Sequence, residues 1–447
     1  MYFVGIDIGT SSISGVAYTA KSRKIESVTV PNDAGISSAK RWERAQNPMR
    51  ILEIVRTIIN DFSVRYTTIQ GIGITGQMHG ILYVNREGDA ISPLYTWQDG
   101  RANLRYKTGM TYAAFLSEVT GHTVPTGFGL ATHFYNSRND LVPEGVAKIC
   151  TITDFVVMKL VDLKTPVTDY SNAAGLGLFD VEQLNFDHAG LAKVGVDSSL
   201  LPDLAESTIS RGHYRGIPVY MAIGDNQAAF LGSVSHLNSS IHVTVGTSSQ
   251  VSVFSAKYMK IPGIETRPFP GGGYMLVGAA LCGGQAFAML RTFFEDTVAK
   301  FSTSSTEGID FYKIMTSVIY KDDSSDLPIV ETLFDGTRSA PDKRGHIENI
   351  STHNFTPDNL IIGLLKGICR ELYQFYQALP EEVRKAKSVL VGSGNALKRN
   401  PLLCRAFEEQ FNTALIFSPY DEEAAFGACL NAIAGSKNLD FEFIQLS

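Results

Sequence analysis

Two carboxylates and two copies of one glycine turn are where this chain could do chemistry. Asp7 stands two residues ahead of Gly9 in FVGIDIGTSSISGVAY (Phe3–Tyr18). The tetrapeptide GTSS returns at Gly246–Ser249 within IHVTVGTSSQVSVFS (Ile241–Ser255), again between apolar runs. Turns rich in Gly, Thr and Ser offer backbone N–H groups and hydroxyls that surround phosphate oxygens without cationic side chains. Two of them approaching from opposite sides would clamp a triphosphate. The copies differ where the chemistry would differ: Asp7 in the first is matched by Thr244 in the second. One carboxylate near phosphate suits a single Mg²⁺, which takes oxygen ligands and keeps several waters. The plain alternative is a pair of hairpin turns and a strand-end Asp.

Asp225 in YMAIGDNQAAFLGSV (Tyr220–Val234) ends a predicted strand and caps a predicted helix, which holds a carboxylate at a fixed place. Phosphoryl transfer needs a group to take the acceptor hydroxyl's proton, although an Asp at a helix start is also common for structural reasons. GSGN at Gly392–Asn395 lies between a predicted buried strand and a helix, where glycines let the backbone approach a flat ring or a ribose. TGQMHG (Thr75–Gly80) and TWQDGRA (Thr96–Ala102) concentrate hydrogen-bonding groups, and Asp99 and Arg101 suit sugar hydroxyls or a distal anion. A lone loop histidine such as His79 is more often a satisfied polar group than a ligand. TDYSNAAGLGLFD (Thr168–Asp180) reads equally as a site element or a surface loop.

These residues need elements to hold them. Val4, Ile6 and Ile8 alternate along a strand, the turn follows, and Ile13–Tyr18 return as its partner. Val243 and Val245, then Val251 and Val253, repeat the pattern around the second turn. The shared strand–turn–strand setting predicts an internal duplication, with a boundary near SHLNSS (Ser235–Ser240). The expected units are 1–235 and 236–447, an α/β pair facing one inter-domain cleft. EEAAFGACLNAIAG (Glu422–Gly435) reads as a small-residue helix, with AAFG echoing AAFLG.

The bulk properties fit. In 447 residues, 44% hydrophobic and 19% charged, there is material for two or three domains with real cores. A net charge of −6 and the lack of long basic runs argue against nucleic acid and a polybasic membrane anchor. Five scattered cysteines without metal spacing predict reduced thiols and no structural zinc. MYFVGID does not read as a signal peptide, and no run reaches the roughly 18 apolar residues of a membrane span, so a cytoplasmic protein is expected. GxxxxGK[ST] is absent, which removes the P-loop reading.

Seven strings occur in order along the chain: DxGTSS (Asp7–Ser12), GQMHG (Gly76–Gly80), WxDxR (Trp97–Arg101), GDNQA (Gly224–Ala228), VGTSS (Val245–Ser249), VGSGNALKRNP (Val391–Pro401) and EEAAFGA (Glu422–Ala428). As a set they resemble the FGGY family of carbohydrate kinases. The resemblance implies two ribonuclease H-like domains with the actin-like ATPase fold, and ATP with Mg²⁺ as cofactors. It implies that Asp225 is the general base and that Asp7 lies at the metal. Thr10, Ser11, Ser12, Gly246, Thr247, Ser248, Gly284, Gly394 and Asn395 would bind the nucleotide. Gln77, Met78, His79, Trp97, Asp99, Arg101 and Asn226 would bind the sugar. The EEAAFGA helix matches the family's second connecting helix. Within the family, TWQDGR and SNAAGLGLFD look closer to members acting on sedoheptulose than to those acting on xylulose. The expected reaction is phosphorylation of a ketose's terminal hydroxyl, by a monomer or homodimer, with another ketose or a polyol as the alternative substrate. An actin-like ATPase and a catalytically silent sugar sensor are the rivals from other classes.

Overall fold

A computed structural model describes residues 1–441 except 20, 108, 303–307, 320–325, 338–339 and 341. The first hairpin forms as its alternation predicts. Strand β1 (Tyr2–Ile8) pairs antiparallel with β2 (Ser12–Thr19), which pairs with β3 (Lys24–Pro31). On the other side of β1, β4 (Ile69–Gly76) runs parallel to it, and β5 (Ile217–Tyr220) runs parallel to β4. The second hairpin builds the same sheet again. There β6 (Ser240–Val245), β7 (Ser249–Ser255) and β8 (Tyr274–Ala280) are antiparallel neighbours. β9 (Val389–Ser393) runs parallel to β6, and β10 (Leu415–Phe417) parallel to β9. The orders β3-β2-β1-β4-β5 and β8-β7-β6-β9-β10 are one plan used twice.

Central strands covered on both faces read as nearly continuous apolar runs. Val4, Ile6 and Ile8 are fully buried, as are Val243 and Val245. Helix α1 (Pro48–Arg65) covers one face of the first sheet with Ile51, Leu52, Val55, Ile58, Ile59 and Phe62. Its start follows from the sequence: the Asn47 side chain accepts from the backbone N–H groups of Met49 and Arg50, and Pro48 sits where no intrahelical donor is needed.

Two helices tie the sheets together by crossing between them. Helix α2 (Asp225–Ser233) leaves the first half and packs Phe230 edge-on against His242 and Phe269 of the second, with ring centroids 5.7 and 5.8 Å apart. Helix α3 (Glu423–Lys437) returns from the second half to the first sheet. Its approach is so close that a Cβ on Gly5 would lie 1.9 Å from the Ala425 carbonyl oxygen, and one on Gly73 1.8 Å from that of Ala428. The two helices meet at glycines as well: a Cβ on Gly427 would lie 1.9 Å from the Ala228 oxygen. Small residues in EEAAFGA therefore serve close crossing. Among the described residues no helix is long and apolar enough to cross a membrane.

Candidate active site

The carboxyl ends of parallel strands form the floor of the site. Asp7 of β1 lies beside Thr75 of β4, and Thr75 lies beside Ile223 of a short strand, Ile223–Gly224. Ligands of open α/β sheets collect at such strand ends. Asp225 follows at once. Gly224 is the cap of α2 and Asp225 its first helical residue, so the carboxylate is not the helix cap expected from the sequence. The Asn226 amide donates to Asp225 Oδ1 at 2.9 Å. Burial pushes the Asp225 carboxyl up to about 6, against the pull of the Asn226 backbone and side-chain donors and of Arg267. Asp7 is pushed up to about 7, first by burial and then by the negative charges of Asp225 and Glu422.

The second turn is open for a ligand: Gly246, Thr247 and Ser248 are all exposed. Its carbonyls are tied down instead. Gly284 N–H donates to the Gly246 oxygen at 2.8 Å, and Gly283 and Gln285 N–H groups donate to the Thr247 oxygen at 2.9 and 3.1 Å. These donors open an 18-residue helix, Gly284–Phe301, whose N-terminal end carries partial positive charge. Gly394 has φ 89° and would place a Cβ 2.5 Å from the Val245 oxygen, so only glycine fits. Gly246, Gly284, Gly394 and the exposed Asn395 thus lie close together.

The first turn is knitted to the loops expected to hold sugar. Trp97 Nε1 donates to Thr10 Oγ1 at 2.9 Å, and that hydroxyl donates to Gln77 Oε1 at 3.4 Å. Gln77 Nε2 donates to Gln46 Oε1, and Gln46 Nε2 donates back to the Thr10 carbonyl, both at 2.8 Å. Ser11 is exposed and Ser12 partly so. A cavity of about 340 Å³ opens beside Thr10, with Ser37, Arg44, Gln46, Thr96 and Gln98 in its lining.

The models of the FGGY family of carbohydrate kinases match the chain twice, the N-terminal domain over residues 2–232 and the C-terminal domain over 241–436. The chain belongs to the FGGY family of carbohydrate kinases. It is similar to sedoheptulokinase of Mus musculus, 28% identical with 96% of each chain covered, and to that of Homo sapiens, 26% identical with the same coverage. Xylulose kinase of Lactococcus lactis is 24% identical, covering 97% of this chain and 88% of the relative. Two solved structures share the fold. A xylulose kinase from Rhodospirillum rubrum has TM-score 0.82 at 18% identity, and Plasmodium falciparum glycerol kinase with ADP has 0.79 at 19%. Each covers all of this chain and 92% of its own. The chain is thus an ATP-dependent sugar kinase on the two-domain, actin-like α/β fold.

In this kinase the remaining expected sugar residues divide. Gln77 and Met78 are buried, and Met78 packs on the residue before Asp225: a Cβ on Gly224 would meet its Sδ at 2.6 Å. His79, at φ 74°, stacks on Phe128 with centroids 4.3 Å apart and places Nδ1 2.8 Å from the Gly175 oxygen. Trp97 is 46% exposed and faces solvent beside the first turn. Asp99 and Arg101 do not line the pocket; they are 0% and 1% exposed. Arg101 Nε donates to Asp99 Oδ1 at 2.7 Å, Nη1 donates to Asn136 Oδ1, and the guanidinium sits 3.9 Å from the Tyr95 ring centroid. Asp99 Oδ2 accepts the Arg44 backbone N–H at 3.0 Å. The pair is a buried brace that places Arg44 and the 96–98 loop, because its donors and acceptors are already engaged.

Sequence reasoning missed Arg267 and Glu422, which enter from strand Glu265–Pro268 and from the residue before α3. Nothing in its local string marks Arg267, and the EEAAFGA string that Glu422 opens reads as a connecting helix and not as a charge beside Asp7. The acidic composition bears on the metal. Asp7, with Asp225 and Glu422 acting on it, is a burdened carboxylate that a cation would relieve. Among the described residues no group of three His, Cys, Asp or Glu is spaced to cage a metal. One carboxylate completed by waters and phosphate oxygens suits Mg²⁺, and Asp7 is the residue that would hold it.

Proposed function

We propose that this kinase transfers the γ-phosphoryl group of ATP to the terminal primary hydroxyl of a ketose, with sedoheptulose preferred and its 7-phosphate the product. The observation that carries the reaction type is Asp225. It stands at the end of the strand–helix junction, its carboxyl raised to about 6 and flanked by Asn226 and Arg267. A base at that value is ionised at neutral pH and still a competent proton acceptor. Asp225 takes the proton of the sugar hydroxyl as that oxygen attacks phosphorus in line. Gln77, Met78, His79, Trp97 and Asn226 orient the sugar. The two GTSS turns, Gly284, Gly394 and Asn395 hold the nucleotide, with N–H groups and hydroxyls directed at developing charge. Mg²⁺, when bound at Asp7, supplies positive charge to the triphosphate. The units 1–235 and 236–447 close over the cleft and limit transfer to water.

The sedoheptulose preference is supported by the two sedoheptulokinases, which align over 96% of both chains and exceed the identity of the Lactococcus lactis xylulose kinase that covers a similar share of this chain. The test is a coupled ADP-release assay with ATP and Mg²⁺ against sedoheptulose, D-xylulose, L-ribulose and glycerol. Highest kcat/KM for the seven-carbon ketose is expected. Highest kcat/KM for xylulose or glycerol overturns the sugar assignment and keeps the kinase. ADP release independent of any sugar overturns the acceptor class.

A further inference from the structure

TDYSNAAGLG, which the sequence leaves between site element and surface loop, is neither exposed nor in the pocket. Asp169 ends a short strand and caps the helix Tyr170–Leu176. Asp169, Ser171 and Asn172 are each 1–2% exposed. Ser171 and Asn172 direct polar atoms at two of the three residues that lead into Asp225, and Thr75 reaches the third. Gly224 N–H donates to Ser171 Oγ at 2.8 Å. The Asn172 amide donates to the Ala222 oxygen at 3.2 Å. Thr75 Oγ1, fully buried on β4, donates to the Ile223 oxygen at 2.7 Å. Asp169 holds the holders: its carboxylate accepts the Ser171 hydroxyl at 2.8 Å and the backbone N–H groups of Ser171 and Asn172 at 3.1 and 2.9 Å.

We propose that Asp169, Ser171, Asn172 and Thr75 are positioning residues for the catalytic base, clamping residues 222–224 so that Asp225 leaves the strand end in one orientation. The physical reason is that Gly224 has no side chain to pack, and α2 begins without a side-chain cap. Its junction is held by polar contacts from other elements. A displacement near 1 Å of a reacting group costs up to about a hundredfold in rate, so hydrogen bonds one residue away from the base control turnover without touching substrate. The inference rests on the reading of Asp225 as base.

The experiment compares kcat and KM of the full chain with those of Ser171→Ala, of the volume-keeping Thr75→Val, of Asp225→Ala and of the double variant Ser171→Ala/Asp225→Ala. ATP binding and Tm are measured on each. The clamp predicts a fall in kcat of about tenfold or more for Ser171→Ala and for Thr75→Val, with KM for ATP and for the ketose within twofold. In the double variant the serine change adds nothing to the loss from Asp225→Ala, because it acts through that residue. Wild-type kcat in both single clamp variants, or a loss that tracks only the folded fraction, overturns the clamp. So does a serine effect that persists without the aspartate. An active Asp225→Ala overturns the base assignment instead, which keeps the two failures distinct.

Discussion

Asp225 and Asp7 are two partly buried carboxylates that their neighbours place in different electrostatic settings. Asp225 has Arg267 and the Asn226 donors to stabilise its charge; Asp7 has two further negative charges and no such help. The base works only when ionised, so its raised value predicts loss of activity on the acid side. kcat/KM should fall tenfold per pH unit below about 6, as a pH–rate profile at saturating Mg²⁺ would show. Trp97 makes a second prediction at this scale. Trp97→Phe keeps the ring and deletes the donor to Thr10, a bond worth about 0.5–1.5 kcal/mol. KM for ATP and for sugar should both rise, by about two- to tenfold, since that hydroxyl joins the phosphate turn to the Gln77–Gln46 pair. Steady-state kinetics with each substrate varied reads this directly.

At the scale of elements, the crossing of α2 and α3 depends on missing side chains. Gly73→Ala would drive a methyl against the Ala428 carbonyl at 1.8 Å, and backbone cannot rotate out of the way. Overpacking of this kind costs about 1–3 kcal/mol. Urea unfolding should show a lower midpoint for Gly73→Ala, while Gly35→Ala, with open space around its Cβ position and no positive φ, should fall less. The two hairpins and their GTSS turns were legible because alternation and turn chemistry are local signals, and Asp225 was legible as a carboxylate between strand and helix. Asp99 and Arg101 were misplaced for the opposite reason. Polar side chains in WQDGR look like ligand contacts until burial is known, and burial here comes from Tyr95, Asn136 and Glu43, which enclose Arg101. The same holds for Ser171, whose partner Gly224 lies 53 positions away. The roles of Arg267 and Glu422 were not legible, although Glu422 opens the EEAAFGA string, because only the meeting of distant segments brings their charges to Asp225 and Asp7.

For the whole molecule, these carboxylates make stability depend on pH. Asp7 and Asp154 are both raised to about 7, chiefly by burial, so the folded state binds protons there that the unfolded chain does not. Stability from such groups is complete below the unfolded value and is lost as pH rises through the folded one. His133 and His242, held down to about 4 by burial, work in the other direction below their ordinary value of 6.5. Without Mg²⁺, Tm should therefore rise as pH is lowered from 8 to about 6.5, before the histidines begin to oppose it; a calorimetric pH series that is flat or inverted in that window would count against the buried charges. What the assembled cleft does turns on one carboxylate, and Asp225→Ala removes it. Product formation from ATP and ketose would be measured beside ATP binding by calorimetry. The account predicts a loss of turnover of about 10²–10⁴-fold with ATP affinity retained. Turnover near that of the unaltered kinase would contradict it, and so would loss of ATP binding together with activity, which would make Asp225 a structural residue.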